Sequence, residues 1–280
     1  WLGYSSGETN ALVAAGVWND ADGLARDMAA SGLLSEALGG EFSAVREQWG
    51  EPVNWRCWTV AAPLAKVQSA LAKHPRAHLA IINSDLDCLI AGDAAACDAV
   101  VEEIGASRCL PLEYCLAVHV PEVAQVADAW LQLHQRATDA PLCGQIYSSA
   151  SGEPYEPNQA ACAAAILAQA NQTLDMRKVV ERAYADGVRI FVEHGPGGGF
   201  GRAIRQILSE REALVVSLDR RGKGFEATLG AIAALVAAGL PVDLAGLNQA
   251  LAEQLPAAQL RPFSLPAHWA PVSPPSTDHR

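Results

Sequence analysis

The 280-residue sequence lacks the features of several broad protein classes. It contains no lysine- or arginine-rich run, and its net charge of -11 argues against nucleic acid or an anionic membrane as a partner. No apolar run reaches the roughly 18 residues that a membrane-spanning helix requires, so we expect no membrane insertion.

Cysteine pairs in metal-binding spacings are also absent. The seven cysteines are scattered, none forms CxxC, and Cys57, Cys88 and Cys109 stand in apolar, strand-like runs. This pattern predicts small buried side chains in a protein of the reducing cytoplasm. No spacing of cysteine and histidine supports a zinc site, and we expect neither a bound metal nor a bound cofactor.

What the sequence does contain is enough apolar material for a large core. Half of its residues are hydrophobic and 18% are charged, which is sufficient for one large domain or two smaller ones. Between Trp55 and Tyr114 the pattern runs β-α-β-β-α-β, which is the order of a ferredoxin-like module. Farther along, Val188–Glu193 is a largely apolar strand suited to a buried parallel sheet.

We therefore predict an α/β fold in which a parallel-sheet, α/β-hydrolase-like large subdomain carries an inserted ferredoxin-like small subdomain. The tail is rich in proline and serine and is expected to be an ordered arm or a linker. The predicted limits are 1–52 and 115–261 for the large subdomain, 53–114 for the small one and 262–280 for the tail.

Several helices are predicted from apolar periodicity and from the residues that start or end a helix. Gly105 is expected to end a helix over Ala94–Ile104, since glycine is the usual residue beyond a helix C-terminus. Longer helical patterns cover Asp20–Leu38 and Pro121–Arg136.

The first residues contain the motif GxSxG, in which Ser5 stands between Gly3 and Gly7. A serine in this motif sits on a sharp turn between a strand and a helix, with its hydroxyl projecting from the sheet. The N–H of Ser6 would then lie at a helix N-terminus, where it can stabilise an oxyanion. The alternative is a tight glycine turn in which the Ser5 hydroxyl caps the following helix.

A nucleophilic serine needs a base, and two histidines are candidates. His119 lies in a loop that follows the small module, where a cleft between subdomains is expected. His194 ends a buried strand beside a glycine-rich turn, and parallel-sheet sites also form at such positions. The alternative for His119 is a partly buried side chain satisfied by the backbone. Three other histidines, His74, His134 and His279, are predicted to be solvated.

The glycine run after His194 does not predict a nucleotide site. Gly197–Gly199 lacks both the Walker lysine and the GxGxxG spacing of dinucleotide-binding turns. Close backbone packing near the active site is the better interpretation.

Four segments together resemble one family. GYSSGE followed by ALVAAGV is similar to the GHSxGE…ALVAAGV segment of acyltransferase domains in fatty acid and polyketide synthases. AIINSDLDCLIAG resembles that family's AxVNSPxxxVISG strand pair, AVHVPEV its FHSPLM region, and FVEHGPGG its FVEVGPGG segment. The variant motifs look most similar to the acyltransferase subunit of polyunsaturated fatty acid synthases and related lipid synthases.

The resemblance implies acyl transfer through a serine ester. His119 would take the proton of Ser5, which would attack the thioester of an acyl-CoA or an acyl-phosphopantetheine substrate. The Ser6 N–H would supply one oxyanion contact, and an acceptor thiol would take the acyl group. The implied partners are an acyl carrier protein and other domains or subunits of a synthase.

Departures from the family pattern bear on the substrate. Where malonyl-loading relatives carry an arginine that holds the free carboxylate, this sequence has Ala30, with Arg26 one turn earlier. A neutral acyl chain is therefore favoured over malonyl. Val120 replaces the serine that normally follows the histidine. The candidate substrate-binding residues are Tyr4, which replaces the usual histidine before the nucleophile, Arg26, Asn83 and His194.

The family's N-terminal strand and GQG loop have no counterpart after Trp1, and the resemblance implies that this portion lies outside the 280 residues. Two other functions stay open. An α/β-hydrolase would use a late histidine such as His268 and release the acyl chain to water. A degenerate domain could instead dock a carrier protein without catalysis.

Overall fold

A computed structural model describes residues 1–195, 197–246 and 249 of the chain. Helices and strands alternate along most of this length, with a π-helical turn at Leu33–Ala37 and 3-10 turns at Ala106–Arg108 and Pro121–Val126. The helices are α1 (Gly7–Ala14), α2 (Ala21–Ser31), α3 (Ser43–Trp49), α4 (Leu64–Leu71), α5 (Ala94–Ile104), α6 (Ala127–His134), α7 (Gln159–Asn171), α8 (Met176–Ala185), α9 (Gly199–Ile207) and α10 (Gly224–Ala237). The strands are β1 (Trp55–Val60), β2 (Ala77–Ser84), β3 (Asp87–Asp93), β4 (Cys109–Pro111), β5 (Ile146–Tyr147), β6 (Pro154–Tyr155), β7 (Leu174–Asp175), β8 (Ile190–Glu193) and β9 (Leu214–Ser217).

The largest sheet has the order β4-β1-β3-β2-β7. Its first four strands are antiparallel, and together with α4 and α5 they follow the β-α-β-β-α-β order that the sequence predicts. Their apolar side chains form a separate core with the two helices, in which Val60, Val67, Ile90 and Val100 are fully buried. The ferredoxin-like module of the predicted fold class is thus confirmed.

The fifth strand of this sheet comes from the large part of the chain. Leu174 and Asp175 of β7 pair in parallel with Ile81 and Ile82 of β2. The hydroxyl of Thr173 donates to the carbonyl of Leu79 at 2.6 Å and extends the same junction. The small sheet is therefore hydrogen-bonded to the segment between α7 and α8. The exact subdomain boundaries stay a prediction.

Parallel pairing also occurs between β8 and β9, from Ile190 opposite Leu214 to Glu193 opposite Ser217. This pair, α9 and the elements from α1 to α3 contribute to the main core. The parallel strands and their helices confirm the α/β class that the apolar pattern at Val188–Glu193 predicts.

Two of the predicted long helices are interrupted. The pattern over Asp20–Leu38 is one helix in the prediction, but α2 ends before Gly32, which has φ of 69° and starts the π-helical turn. A glycine in this left-handed conformation is a common helix stop. The pattern over Pro121–Arg136 begins as a 3-10 turn and becomes α-helical at Ala127.

One histidine prediction is wrong. His134 was expected to be solvated, but it is only 1% exposed. Its ring lies against the rings of Trp18 and Trp130, and its Nδ1 lies 2.7 Å from the Trp130 carbonyl. His134 in the last turn of α6 therefore faces the core. Because histidine is polar, its residue type alone did not indicate this burial. His74 is half-buried. His279 and the predicted arm at 262–280 lie outside the described residues.

The cysteine prediction is confirmed for five side chains, which are buried and free, whereas Cys143 is exposed and Cys115 is half-buried. Among the described residues, no group of histidine, cysteine and carboxylate side chains could hold a metal ion. The helices of this part are all too short or too polar to cross a membrane.

By its internal contacts the chain divides into two units, 1–234 and 235–280. The first contains the candidate site and all the strands of the described part. The described part of the second is 235–246 and 249; it begins with the end of α10, after which the N–H of Gly239 donates to the carbonyl of Val236.

Candidate active site

The GxSxG motif forms a tight turn directly before α1. Ser5 has φ of 54°, in the left-handed region that non-glycine residues rarely occupy. The N–H of Gly7 donates to the carbonyl of Tyr4, and that of Glu8 to the carbonyl of Ser5. The turn is so close that a Cβ on Gly3 would lie 2.0 Å from the Glu8 nitrogen. Only glycine fits at that position.

The turn aims the Ser5 hydroxyl at a histidine ring. Ser5 Oγ lies 2.7 Å from His119 Nε2, although 114 residues separate the two in the sequence. The alternative in which the Ser5 hydroxyl caps the helix does not apply, because Ser6 is the N-cap residue of α1 and no side chain caps this helix.

His119 is held from its other side by the end of α7. Its Nδ1 lies 2.6 Å from the carbonyl oxygen of Gln169, and its backbone N–H donates to the carbonyl of Ala170. Since a carbonyl only accepts, Nδ1 must carry the proton, and Nε2 of the neutral ring is then free to accept the Ser5 proton. A backbone carbonyl thus takes the place of a carboxylate as the orienting group.

Burial also favours the neutral ring. His119 is 4% exposed, and this burial lowers its pKa below 6.5, although the hydrogen bond to Gln169 opposes the effect. Its φ of 62° makes His119, like Ser5, a strained residue. A neutral, correctly oriented imidazole beside a hydroxyl is the arrangement of a general base and its nucleophile.

The N–H of Ser6 lies at the N-terminus of α1 and donates to no group within residues 1–195, 197–246 and 249. Such a donor beside the nucleophile can receive an oxyanion. This role stays a prediction.

Glu8 is the site residue that the sequence did not single out. Its side chain is fully buried and accepts hydrogen bonds from the backbone N–H and the hydroxyl of Ser149, at 2.9 and 2.5 Å, with the Tyr155 hydroxyl at 3.4 Å. Burial raises the pKa of Glu8, and the bonds from Ser149 oppose that shift. The glutamate ties the first turn of α1 to the β5–β6 hairpin. The sequence signal for it is its place directly after GxSxG, where the resembling GHSxGE motif also has glutamate.

A second polar network begins beside the nucleophile. The Tyr4 hydroxyl donates to Asn83 at 2.9 Å, the Asn83 amide donates to Asp87 at 3.0 Å, and Arg202 of α9 donates to the same carboxylate at 2.8 Å. Burial and the nearby Asp87 raise the pKa of Tyr4 to about 12, so its hydroxyl stays neutral. The Tyr4 ring also lies 5.3 Å from that of Phe200.

The structure therefore brings four of the predicted residues together: Ser5 and His119, and beside them Tyr4 and Asn83. Arg26 and His194 are both exposed, the first on α2 and the second after β8, and no hydrogen bond in the described part joins either to Ser5 or His119. Asp87 and Arg202 belong to the network but were missed, since only the fold brings α9 to the β2–β3 turn.

Comparisons with known proteins match the chain to a synthase protein and to a transacylase. No family model matches the chain. Over 242 residues it is 28% identical to a polyunsaturated fatty acid synthase protein of Thraustochytrium sp., a match that covers 79% of this chain and 12% of that synthase protein. Malonyl CoA-acyl carrier protein transacylase of Synechocystis sp. is 29% identical over 130 residues, which is 46% of this chain and 40% of that enzyme.

A solved acyltransferase structure also matches the chain. The acyltransferase domain from the second module of the salinomycin polyketide synthase superposes with a TM-score of 0.70 at 26% identity. The match covers 91% of this chain and 58% of that one. The chain resembles the acyltransferase domains of fatty acid and polyketide synthases. It spans only a small part of the Thraustochytrium synthase protein and just over half of the solved domain.

A more distant match shows the fold alone. The structure of MCAT from Streptococcus pneumoniae has a TM-score of 0.65 at 20% identity and covers 82% of this chain. The α/β fold predicted for an acyltransferase domain is thereby confirmed.

Proposed function

We propose that this chain transfers an acyl group from a coenzyme A or carrier-protein thioester, through an ester on Ser5, to an acceptor thiol. The observation that carries the proposal is the 2.7 Å contact between Ser5 Oγ and the unprotonated Nε2 of His119. The Gln169 carbonyl on Nδ1 supports it, because that bond fixes the tautomer that a general base needs.

In the first half-reaction the Ser5 hydroxyl proton moves to His119 Nε2 as Oγ attacks the thioester carbonyl. The oxyanion forms beside the Ser6 N–H. Collapse breaks the carbon–sulfur bond, and the leaving thiolate takes the proton back from Nε2 as a thiol. The second half-reaction reverses these steps with the acceptor thiol, which leaves Ser5 and His119 in their starting state.

The substrate that we propose has a neutral acyl chain. Ala30, at the position where malonyl-loading relatives carry arginine, lies exposed on α2, as does Arg26. Arg202, the cation of the Tyr4 network, is already paired with Asp87. A carboxylate clamp of the malonyl type therefore has no evident residue in the described part of the chain.

The setting that we propose is a polyunsaturated fatty acid or polyketide-type lipid synthase, in which a carrier protein supplies or receives the acyl group. The similarity to the Thraustochytrium synthase protein and to the salinomycin domain supports this setting. A malonyl-transacylase of the same fold has been solved in complex with its own acyl-carrier protein, which supports a carrier protein as the partner that we propose.

Incubation of the protein with a panel of acyl-CoA thioesters, followed by intact mass, tests the proposal. We expect the mass of one acyl group to be added to wild-type protein and to Ser6→Ala, and none to Ser5→Ala. The fraction of wild-type protein that becomes acylated should be larger with medium- or long-chain thioesters than with malonyl-CoA. His119→Ala should slow acylation by about a hundred- to ten-thousand-fold, since this is the usual contribution of a general base. His74→Ala, at a half-buried histidine of the small module that has no hydrogen bond to Ser5 or His119, is the matched control and should acylate normally.

Acylation of Ser5→Ala at another residue would contradict the assignment. Adding an acceptor thiol to isolated acyl-enzyme separates transfer from hydrolysis. Loss of the acyl group only to water would favour the hydrolase function. No acylation and no reaction of Ser5 with a fluorophosphonate would favour a non-catalytic docking domain. The hydrolase alternative that relies on His268 concerns a residue outside the described part, whereas Ser5 already contacts His119.

A further inference from the structure

A buried pair joins the His119 loop to the small sheet. Glu122, three residues after His119, lies with Oε1 2.9 Å from Nε2 of His78 on β2. The Glu122 side chain is 4% exposed and that of His78 is 18% exposed. The His78 ring also stacks on Trp55 of β1, with ring centroids 6.4 Å apart.

Nothing else in the described part of the chain satisfies the Glu122 carboxylate. Its second oxygen, Oε2, is buried and has no hydrogen-bond partner there. A buried carboxylate is costly unless it is paired, so the contact with His78 must be made for the loop to stay packed. The pair therefore acts as a tether between β2 and the 3-10 turn that begins at Pro121.

The tether matters because His119 is held in a conformation that it would not adopt alone. Its φ of 62° persists only if the surrounding structure fixes both sides of the residue. The carbonyls of Gln169 and Ala170 fix the ring and the backbone N–H. On the C-terminal side, Val120 is buried and the next polar anchor is Glu122.

We propose that His78 and Glu122 are positioning residues for His119: their hydrogen bond holds the strained loop so that Nε2 stays within reach of Ser5. The inference rests on the proposed roles of Ser5 and His119. It adds that the small sheet, which carries no residue of the reacting pair, sets the geometry of the base through one buried contact.

The test measures how fast a fluorophosphonate probe labels Ser5, at saturating probe and as a function of probe concentration. Glu122→Ala and His78→Ala should lower the saturating rate roughly a hundred-fold, as an ångström-scale misplacement does, and leave the half-saturating probe concentration unchanged. Glu122→Gln should keep most of the rate, because its amide oxygen still accepts a bond from His78. The double alanine variant should be no slower than either single one.

A spectroscopic readout reports the position of His119 directly. In protein labelled with ¹⁵N-histidine, the Nδ1–H that donates to Gln169 should give a slowly exchanging, downfield ring resonance, assigned by its loss in His119→Gln. We expect this resonance to disappear in Glu122→Ala and to persist in Glu122→Gln. Val67→Ala, which truncates a fully buried side chain of the small core, is the control for general destabilisation and should keep both the resonance and the labelling rate.

The proposal would be overturned if His78→Ala were labelled at the wild-type rate and kept the ring resonance. It would also be overturned if Val67→Ala lost as much of the labelling rate and of the resonance as the tether variants do. If Glu122→Ala does not fold, the contrast between His78→Ala and Glu122→Gln decides in its place. Neither readout uses an acyl thioester, so a failure of acyl transfer would leave this test standing. If wild-type Ser5 did not react with the probe, the proposed function would fail, while the resonance would still report on the tether.

Discussion

Ser5 and His119 are joined by a 2.7 Å contact, and both have a positive φ, 54° and 62°. Backbone strain at two residues that touch each other is costly, and it persists only where the surrounding structure compensates for it. Here the compensation comes from the tight turn at Gly3, from the buried Glu8 and from the carbonyls at the end of α7. Substitutions at single positions can test these supports separately.

Gly3→Ala should destabilise the fold, whereas Gly7→Ala should not. A Cβ at Gly3 would lie 2.0 Å from the backbone nitrogen of Glu8, which no side-chain movement can relieve, so we expect a loss of about 3 kcal/mol or more. At Gly7 the nearest atom would be 4.0 Å away, and alanine is a better helix former. Thermal unfolding followed by circular dichroism measures both. Equal unfolding temperatures for the two variants would contradict the close approach.

The rate of Ser5 acylation should stay constant as the pH falls through 6.5 and should decline only at lower pH. Only neutral His119 can accept the Ser5 proton, and burial lowers its pKa below the ordinary value of 6.5. The saturating rate of fluorophosphonate labelling, measured across this range, gives the midpoint. A midpoint at or above 6.5 would contradict the role of burial.

The same shift affects stability in a defined direction. Because the folded protein binds a proton at His119 less readily than the unfolded chain does, the free energy of unfolding should fall as the pH drops from 6.5 toward the folded pKa. His134, whose pKa is also lowered by burial, adds to this slope but not to the labelling profile, since it has no contact with Ser5. The comparison of wild type with His134→Gln separates the two contributions.

The turn at Ser5 and the loop that carries His119 could be predicted from local sequence, because each depends on a few neighbouring residues. GxSxG specifies a turn that exposes a serine, and the loop before Pro121 offers a histidine close to the small module. Helix α5 was predicted with its observed bounds, with Gly105 at its end; in the structure Asp93 also caps its start by accepting from Ala96. In each case a few neighbouring residues determine the conformation.

What the sequence did not reveal depends on contacts between distant residues. Glu8 meets Ser149 across 141 positions, and Arg202 meets Asp87 across 115, so neither network leaves a periodic signal. Helix α3 was missed as well. It is seven residues long and follows Phe42, an N-cap residue with a positive φ and no side-chain cap. Tertiary packing rather than local propensity stabilises such a helix.

Glu8→Ala should cost at least about 2 kcal/mol, because it leaves the N–H of Ser149 and the Tyr155 hydroxyl buried without their acceptor. Glu8→Gln should cost much less, since its amide oxygen can keep the Ser149 bonds and its amide group can donate to Tyr155. Chemical denaturation at a fixed pH measures both. A glutamine variant as unstable as the alanine variant would contradict this account of the site.

The two variants also differ from wild type in their pH dependence. Burial raises the pKa of Glu8 above 4.5, so the folded protein holds this proton more tightly than the unfolded chain. The resulting stability is present below pH 4.5 and is lost as the pH rises through the folded pKa. Glu8→Gln cannot ionise, and its stability relative to wild type should increase over that range.

Tyr4→Phe should separate the polar network from the nucleophile without disturbing the core. The change removes the 2.9 Å hydrogen bond to Asn83 and keeps the ring contact with Phe200, so we expect a loss of about 1 kcal/mol. It also leaves the Asn83 side-chain oxygen with one donor fewer, while the bonds that Asp87 accepts from Asn83 and Arg202 remain. If this network lines the acyl pocket, the order of preference in the acyl-CoA panel should change along with the stability. Tyr114→Phe, at a tyrosine that is 72% exposed, should change neither. A loss of stability with an unaltered acyl preference would show that the network supports the turn but does not contact the acyl chain.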